Sequence, residues 1–159
     1  FEIGQEGKAD LSLLADAEQF VVLEAKLFSK LASGVTHAKY FDQAARTVAC
    51  MAEVLRRGNR HPSVLSQLGF YVVAPQSRTD AGVFDKEMDP GSIGEKIGRR
   101  VAEYHGAREQ WYREWFAPTL ERIDIDVVSW EELVQVIGLH DPASVGSFRY
   151  FYSHCIEFN

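Results

Sequence analysis

Two runs within residues 9–28 have the pattern of apolar and polar positions that is typical of strands. Residues 9–14 (ADLSLL) alternate, and residues 20–28 (FVVLEAKLF) form a longer, almost wholly apolar run. The polar residues 15–19 between them have the length of a hairpin connection. Apolar side chains on both faces of the second run predict a central strand that is covered on both sides.

The next part of the chain changes to a helical period. Apolar residues recur at three- and four-residue spacing over residues 37–57, and Gly58-Asn59 is a natural helix stop. Residues 70–74 (FYVVA) then predict a short buried strand, and residues 76–91 a long loop.

Capping signals organise the second half of the chain. Ser92 with Glu95, and Ser129 with Glu132, have the spacing of capping boxes. The pattern predicts a helix from Ser92 to Pro118, an edge strand over 123–127, a helix from Ser129 to Gly138 and a last helix from Asp141 towards Ile156. This order of elements predicts an α/β domain with a mixed sheet and a helix-rich C-terminal part over residues 92–159.

Length and composition add limits to this picture. A chain of 159 residues that is 46% hydrophobic suits one domain with a sizeable core. No run of 18 uncharged apolar residues is present, so we expect no membrane span. Two cysteines give no disulfide framework, which favours the reducing cytoplasm. The chain begins at Phe1 rather than Met, and we therefore expect it to be part of a longer protein.

The net charge of −6 argues against a simple nucleic-acid coat, which would be basic. However, the charge is uneven along the chain. Residues 101–159 contain 10 acidic and 4 basic residues, whereas residues 37–60 contain 2 acidic and 5 basic ones. The acidity thus lies in the last third, and a nucleic-acid partner is compatible with a local basic face.

Candidate chemistry is concentrated in the second predicted strand. Glu24 and Lys26 are its only charges and share one face, about 6.5–7 Å apart along the strand. Because an unpaired buried charge costs several kcal/mol, two charges in such a strand suggest a functional site. A partly buried Glu–Lys pair with a purely structural role is the alternative.

Asp10 adds a second carboxylate. The predicted hairpin would bring Asp10 beside Glu24, and a divalent cation would relieve the repulsion between them. Oxygen ligands of this kind suit Mg²⁺ or Mn²⁺. With Lys26 to orient a water or to neutralise negative charge, the set outlines a site for phosphodiester hydrolysis.

These residues resemble the PD-(D/E)XK nuclease superfamily, which has a restriction-endonuclease-like fold. Its mark is an acid on one strand and Glu-x-Lys on the next, followed by a helix and a further strand. Here Asp10, Glu24-Ala25-Lys26, the helix 37–57 and the strand 70–74 match that order, so the resemblance covers about residues 7–75. Gly7-Lys8-Ala9-Asp10 also looks like the first motif of the family's exonuclease-like branch.

The resemblance implies a function and further residues. It implies a Mg²⁺- or Mn²⁺-dependent nuclease that acts on DNA, with RNA as an alternative substrate. Gln43 matches a catalytic Gln on the helix that follows the motif, although Thr47 stands where that branch has Tyr. The resemblance also implies that the main-chain carbonyl of Ala25 binds metal beside Asp10 and Glu24.

Weaker candidates lie at the start of the predicted helix. His37 and Tyr40 would approach the substrate at this loop-to-helix junction, and an ordinary helix start with core packing is the more common alternative. Lys39 and Arg46 would face a nucleic-acid backbone, and a solvated helix face is the equal alternative. A second functional class also stays open, namely a nuclease-like fold that binds or assembles without catalysis. The acidic, aromatic last third, or a further domain, would then dock a protein partner.

Overall fold

The computed structural model describes Leu11, residues 13–34 and residues 36–158. They form an α/β fold around three parallel strands: β1 (Gln19–Ala25), β2 (Gln67–Ala74) and β3 (Asp124–Ser129). The strand order β1-β2-β3 places β2 between the other two. The register aligns Glu24 with Val72, and Ala74 with Ser129.

Helices connect the parallel strands. Between β1 and β2 the chain forms α1 (Gln43–Arg57) and a 3₁₀ turn (Pro62–Val64). Between β2 and β3 it forms α2 (Gln76–Asp80), α3 (Asp85–Met88), α4 (Pro90–Ala102), α5 (Glu109–Trp111), a π-helical turn (Tyr112–Phe116) and α6 (Ala117–Arg122). Two helices follow β3, namely α7 (Trp130–His140) and α8 (Pro142–Glu157). Within the described ranges, no helix has both the length and the apolar character that crossing a membrane requires.

The core packs against one face of the sheet. In β2, Phe70 and Val72 are fully buried, and they belong to one cluster with Val48 and Leu55 of α1 and Ile97 of α4. The helical period of α1 places its apolar side chains on one side, and this side supplies the core. Glu24 is aligned with Val72, so the charged end of β1 continues the row of core-facing positions.

The predicted central position of the strand 20–28 is wrong for the described sheet. This segment forms β1, which ends at Ala25 and lies at the edge of the described sheet, because β2 is the middle strand. Val21 and Leu23 of β1 are exposed. All three described strands are parallel, so the expected mixed sheet is not found among them. Of the predicted first strand, Leu11, Leu13 and Leu14 lie in no strand, and residues 9, 10 and 12 lie outside the described residues.

Several helix boundaries also differ from the prediction, and capping explains each. Helix α1 begins at Gln43 rather than near His37, because the buried Asp42 is its N-cap and accepts a hydrogen bond from the Ala45 amide. Helix α4 is capped by Asp89, whose carboxylate accepts from the Ser92 amide at 2.6 Å. The predicted capping box at Ser92 is therefore wrong, and part of the expected loop 76–91 is helical.

The second half contains one break and one confirmed cap. His105 and Gly106 have φ values of 48° and 89°, which interrupt the long helix that was predicted to run to Pro118. The capping box of Ser129 and Glu132 is confirmed at the start of α7. That helix continues past Gly138 to His140, and α8 begins at Pro142 as predicted.

Candidate active site

Glu24 and Lys26 stand at the carboxyl end of β1. Carboxyl ends of parallel strands meet at one edge of a sheet, the usual place of active sites in open α/β folds. The Lys26 amide donates to the carbonyl of Val73 at 2.8 Å, so the backbone of Lys26 continues the ladder just beyond the strand. The candidate chemistry therefore lies on rigid backbone rather than in a loose loop.

The side chain of Lys26 is held between two partners. Its Nζ lies 2.9 Å from Glu24 Oε1 and donates to Gln43 Oε1 at 3.1 Å. The Lys26 side chain is 11% exposed and that of Glu24 is 29% exposed. The structure thus brings together three of the four predicted catalytic residues, from the end of β1 and the first turn of α1.

Gln43 also fixes the segment that leads from β1 to α1. The side-chain oxygen Oε1 of Gln43 accepts a hydrogen bond from the main-chain amide of Ala32 at 3.0 Å. The main-chain amide of Gln43 donates to the carbonyl of Ala32 at 2.9 Å. Two donors on Oε1 set the orientation of the side-chain amide. The Nε2 group makes no hydrogen bond to the part of the chain that the structure describes, which leaves it as a donor for a ligand.

Trp130 is a supporting residue that sequence reasoning missed. Its indole Nε1 donates to the main-chain carbonyl of Lys26 at 3.2 Å. Trp130 begins α7 immediately after β3, so the parallel sheet brings it to the same edge as Lys26. The capping box at Ser129 predicts that a helix begins at Trp130. Only the order of the strands, however, shows that Trp130 lies close to Lys26.

Glu131 ties two more elements to this edge. Its carboxylate accepts from the Gln76 amide at 2.9 Å and from the Tyr152 hydroxyl at 3.0 Å. Burial, together with this hydrogen bond to Glu131, raises the pKa of Tyr152. The carboxyl end of β2, the start of α7 and helix α8 are thereby fixed around the candidate site.

Two of the three expected metal ligands, Glu24 and Ala25, lie among the residues that the structure describes. Asp10 lies outside the described residues, and no group of three or more His, Cys, Asp or Glu among the described ones could hold a metal ion. Glu24 and the carbonyl of Ala25 nevertheless suit Mg²⁺, which commonly uses one or two carboxylates and keeps several waters. Glu24 and Ala25 therefore supply oxygen donors of the type that Mg²⁺ prefers, and the contribution of Asp10 stays a prediction.

The four predicted nucleic-acid contacts are dispersed. His37 and Lys39 are exposed in the turn before α1. Tyr40 donates a hydrogen bond to Glu103, and the Arg99 guanidinium lies 3.9 Å from its ring centroid, so Tyr40 is engaged with α4. Burial is the main cause that raises the Tyr40 pKa, and the Glu103 hydrogen bond adds to it.

Arg46 is the one of these four that shares a surface with the candidate site. Together with Gln43 and Thr47 it lines a groove of about 760 Å³ between β1 and α1, which also contacts Val21 and Leu23. Its Nε donates to the Asp42 carbonyl at 3.3 Å. A nucleic-acid strand bound along this groove would pass from Arg46 to the side-chain amide of Gln43.

Comparison with protein-family models, with curated proteins and with solved structures finds no match for this chain. The geometry of Glu24, Lys26 and Gln43 is therefore the basis on which a function can be inferred. A carboxylate, an ammonium and an amide at a sheet edge can bind a cation, donate to a phosphate oxygen and orient a water.

Proposed function

We propose that this chain is a divalent-metal-dependent nuclease of the PD-(D/E)XK type, with a restriction-endonuclease-like fold, that hydrolyses phosphodiester bonds of DNA. Asp10, Glu24 and the carbonyl of Ala25 would hold Mg²⁺ or Mn²⁺. The chemistry supplied by such an ion is acidification of a bound water and neutralisation of charge on phosphate oxygens. We place its action in the cytoplasm, in keeping with a sequence whose two cysteines give no disulfide framework.

The observation that carries the proposal is the convergence of Glu24, Lys26 and Gln43 at the carboxyl edge of the sheet. Gln43 adds a third polar group, from the first turn of α1, to the Glu24–Lys26 pair. The Lys26 ammonium would donate a hydrogen bond to the attacking water or to a phosphate oxygen of the substrate. The Gln43 Nε2 group would donate to a second phosphate oxygen, while its Oε1 holds Lys26 in place.

A cleavage assay tests this assignment. The full chain is incubated with linear, circular and single-stranded DNA and with RNA, in Mg²⁺, in Mn²⁺ and in a chelator. We expect metal-dependent cleavage that Glu24→Gln and Lys26→Met each lower by at least about a hundredfold. Glu121→Gln, on the exposed surface of α6, is the matched control and should cleave normally.

The fold of each variant is checked by circular dichroism before activity is compared. Undiminished cleavage by a pure, folded Lys26→Met protein would reject the catalytic role. The nucleic-acid arms separate DNA from RNA as substrate, since the residues of the site contact phosphate and do not themselves distinguish the two.

A second candidate function is a nuclease-like module that binds a protein partner without catalysis. The observation in its favour is the apolar surface of the last two helices. Leu139 of α7 and Tyr150 and Phe151 of α8 are 81%, 66% and 65% exposed. Exposed large apolar side chains on these two helices, which contact each other, favour a role for them in binding a partner. The two candidates differ in whether the site binds a metal ion.

A further inference from the structure

A second concave site lies away from Glu24 and Lys26, between α1 and the end of α4. It is a cavity of about 460 Å³, within the range of about 300–1,000 Å³ that is common for small-molecule sites. We call it the arginine cavity, because Arg46, Arg57, Arg100 and Arg108 line it, together with Glu53. Neither Glu24 nor Lys26 is among its lining residues.

Among the residues that the structure describes, two of the four arginines of this cavity have no carboxylate partner. Glu53 is its only acidic lining residue among those described, and it is shared, because its carboxylate accepts from Arg57 at 3.0 Å and from Arg56 at 2.8 Å. Arg46 and Arg108 form no ion pair with a carboxylate in the described ranges. The cavity therefore has an excess of guanidinium groups, which favours an anion.

Two of these guanidinium groups lie against the ring of Tyr104. The guanidinium carbons of Arg100 and Arg108 lie 5.0 and 5.7 Å from the centroid of its ring. Arg100 is paired with Glu103 at 2.6 Å, which lies outside the cavity lining. Both guanidinium groups also line the cavity, so a phosphate bound there would be attracted by two cations that donate hydrogen bonds.

The remaining wall of the arginine cavity is apolar and partly aromatic. Phe41, Ile97, Val101 and Trp111 contribute to it. A bare phosphate would leave this surface uncovered, whereas a ligand with a flat apolar body would cover it while its charge contacts the arginines.

We propose that the arginine cavity binds a nucleoside phosphate. The phosphate would contact Arg46, Arg100 and Arg108, and the base would lie against the apolar wall near Tyr104 and Trp111. The site goes beyond the proposed nuclease function, because it shares neither Glu24 nor Lys26. Two sources of the ligand share this chemistry, namely a free nucleotide and the terminal nucleotide of a single strand.

Isothermal titration calorimetry of the full chain at low salt tests the proposal. We expect AMP to bind with one site per chain and at least about tenfold more tightly than adenosine or inorganic phosphate, because only AMP uses both parts of the cavity. Arg108→Ala should weaken AMP binding about tenfold. Arg149→Ala, an exposed arginine on α8, is the matched control and should bind AMP normally.

AMP binding no tighter than that of phosphate, or unchanged in Arg108→Ala, would overturn the proposal. Lys26→Met should leave AMP binding intact, so failure of the nuclease assignment and failure of this site are separate results. A 5′-phosphorylated trideoxyadenylate distinguishes the sources. If the trideoxyadenylate binds more tightly than AMP and competes with it, the natural ligand is a strand terminus. If the trideoxyadenylate binds more weakly than AMP, the natural ligand is a free nucleotide. Each of these two results supports a nucleoside phosphate as the ligand class.

Discussion

The ammonium group of Lys26 lies 2.9 Å from the carboxylate of Glu24, at the end of a row of core-facing positions. Neither side chain is freely solvated, so each has a desolvation cost, which the ion pair and, for Lys26, the hydrogen bond to Gln43 offset. An apolar pair would fill the same positions without that cost. The pair therefore fits a site that is retained for binding or catalysis better than one that is retained for stability.

A double-mutant cycle on this pair tests that view of its energetics. Lys26→Met alone leaves the half-buried Glu24 carboxylate unpaired, and we expect a loss of about 1–3 kcal/mol in the free energy of unfolding. Adding Glu24→Gln should recover at least half of that loss, because no uncompensated charge remains. Urea denaturation followed by circular dichroism measures each step, and strictly additive losses would show that the two side chains are not coupled.

Gln43 should control the order of the segment between β1 and α1. Gln43→Ala removes the acceptor of both Ala32 and Lys26, and we expect faster hydrogen exchange at the Ala32 amide and a loss of about 1–2 kcal/mol in stability. Gln43→Glu keeps an acceptor oxygen and is the conservative control, with exchange at Ala32 close to that of the wild type. Equal protection of Ala32 in the alanine variant would contradict this role.

Stability measurements can distinguish Asp89, the N-cap of α4 in the structure, from Ser92, the N-cap predicted from the sequence. Asp89 accepts from the Ser92 amide, so Asp89→Ala should cost about 1 kcal/mol in the free energy of unfolding. Ser92→Ala, which would remove the cap predicted from sequence, should change stability by less than about 0.5 kcal/mol. Thermal or urea unfolding of both variants compares them directly, and a larger loss for Ser92→Ala would restore the sequence-based assignment.

These cases show which parts of the fold local pattern could predict. The capping box of Ser129 and Glu132 and the stop at Gly58 depend on neighbours within four residues, and both are present. At the start of α4, by contrast, the capping box predicted at Ser92 is wrong, because Asp89 is the N-cap and Pro90 occupies the first helical position. The direction and order of strands depend on residues far apart in sequence, so the parallel sheet was not predictable from alternation alone.

The same distinction applies to the candidate site. Glu24 and Lys26 were predictable as a pair because a strand places alternate residues on one face. Gln43 was predicted from the resemblance, and its contact with Lys26 spans 17 residues of chain. Trp130 and its contact with the Lys26 carbonyl span 104 residues, and no local pattern indicates such a contact.

Glu53 predicts a dependence of stability on acid. Hydrogen bonds from Arg56, aided by those from Arg57, lower its pKa from 4.5 to about 2, so its ionised form stabilises the fold above pH 4.5. That contribution is lost as the pH falls towards 2, where the carboxylate becomes protonated in the folded state as well. At neutral pH, Glu53→Gln should lower stability by about 1 kcal/mol, since solvent screens the exposed arginines.

When urea unfolding is repeated between about pH 6 and pH 3, the difference in stability between wild type and Glu53→Gln should stay constant above pH 4.5 and narrow below it, because the pKa of Glu53 is 4.5 in the unfolded chain and about 2 in the fold. Glu121→Gln on α6 is the control for loss of a surface carboxylate. A constant difference across this range would show that the effect of Glu53 is not one of charge.

Metal binding in the absence of nucleic acid separates the two candidate functions. If the site is a nuclease centre, Mn²⁺ should bind the full chain, and Glu24→Gln and Asp10→Asn should each weaken binding by at least about tenfold. Lys26→Met should bind Mn²⁺ as tightly as the wild type or more tightly, because it removes a positive charge 2.9 Å from a ligand carboxylate. Calorimetry or electron paramagnetic resonance measures all four proteins. Weak Mn²⁺ binding by the wild type, unchanged in Glu24→Gln, would instead favour the non-catalytic module, since a scaffold needs the Glu24–Lys26 pair only for its fold.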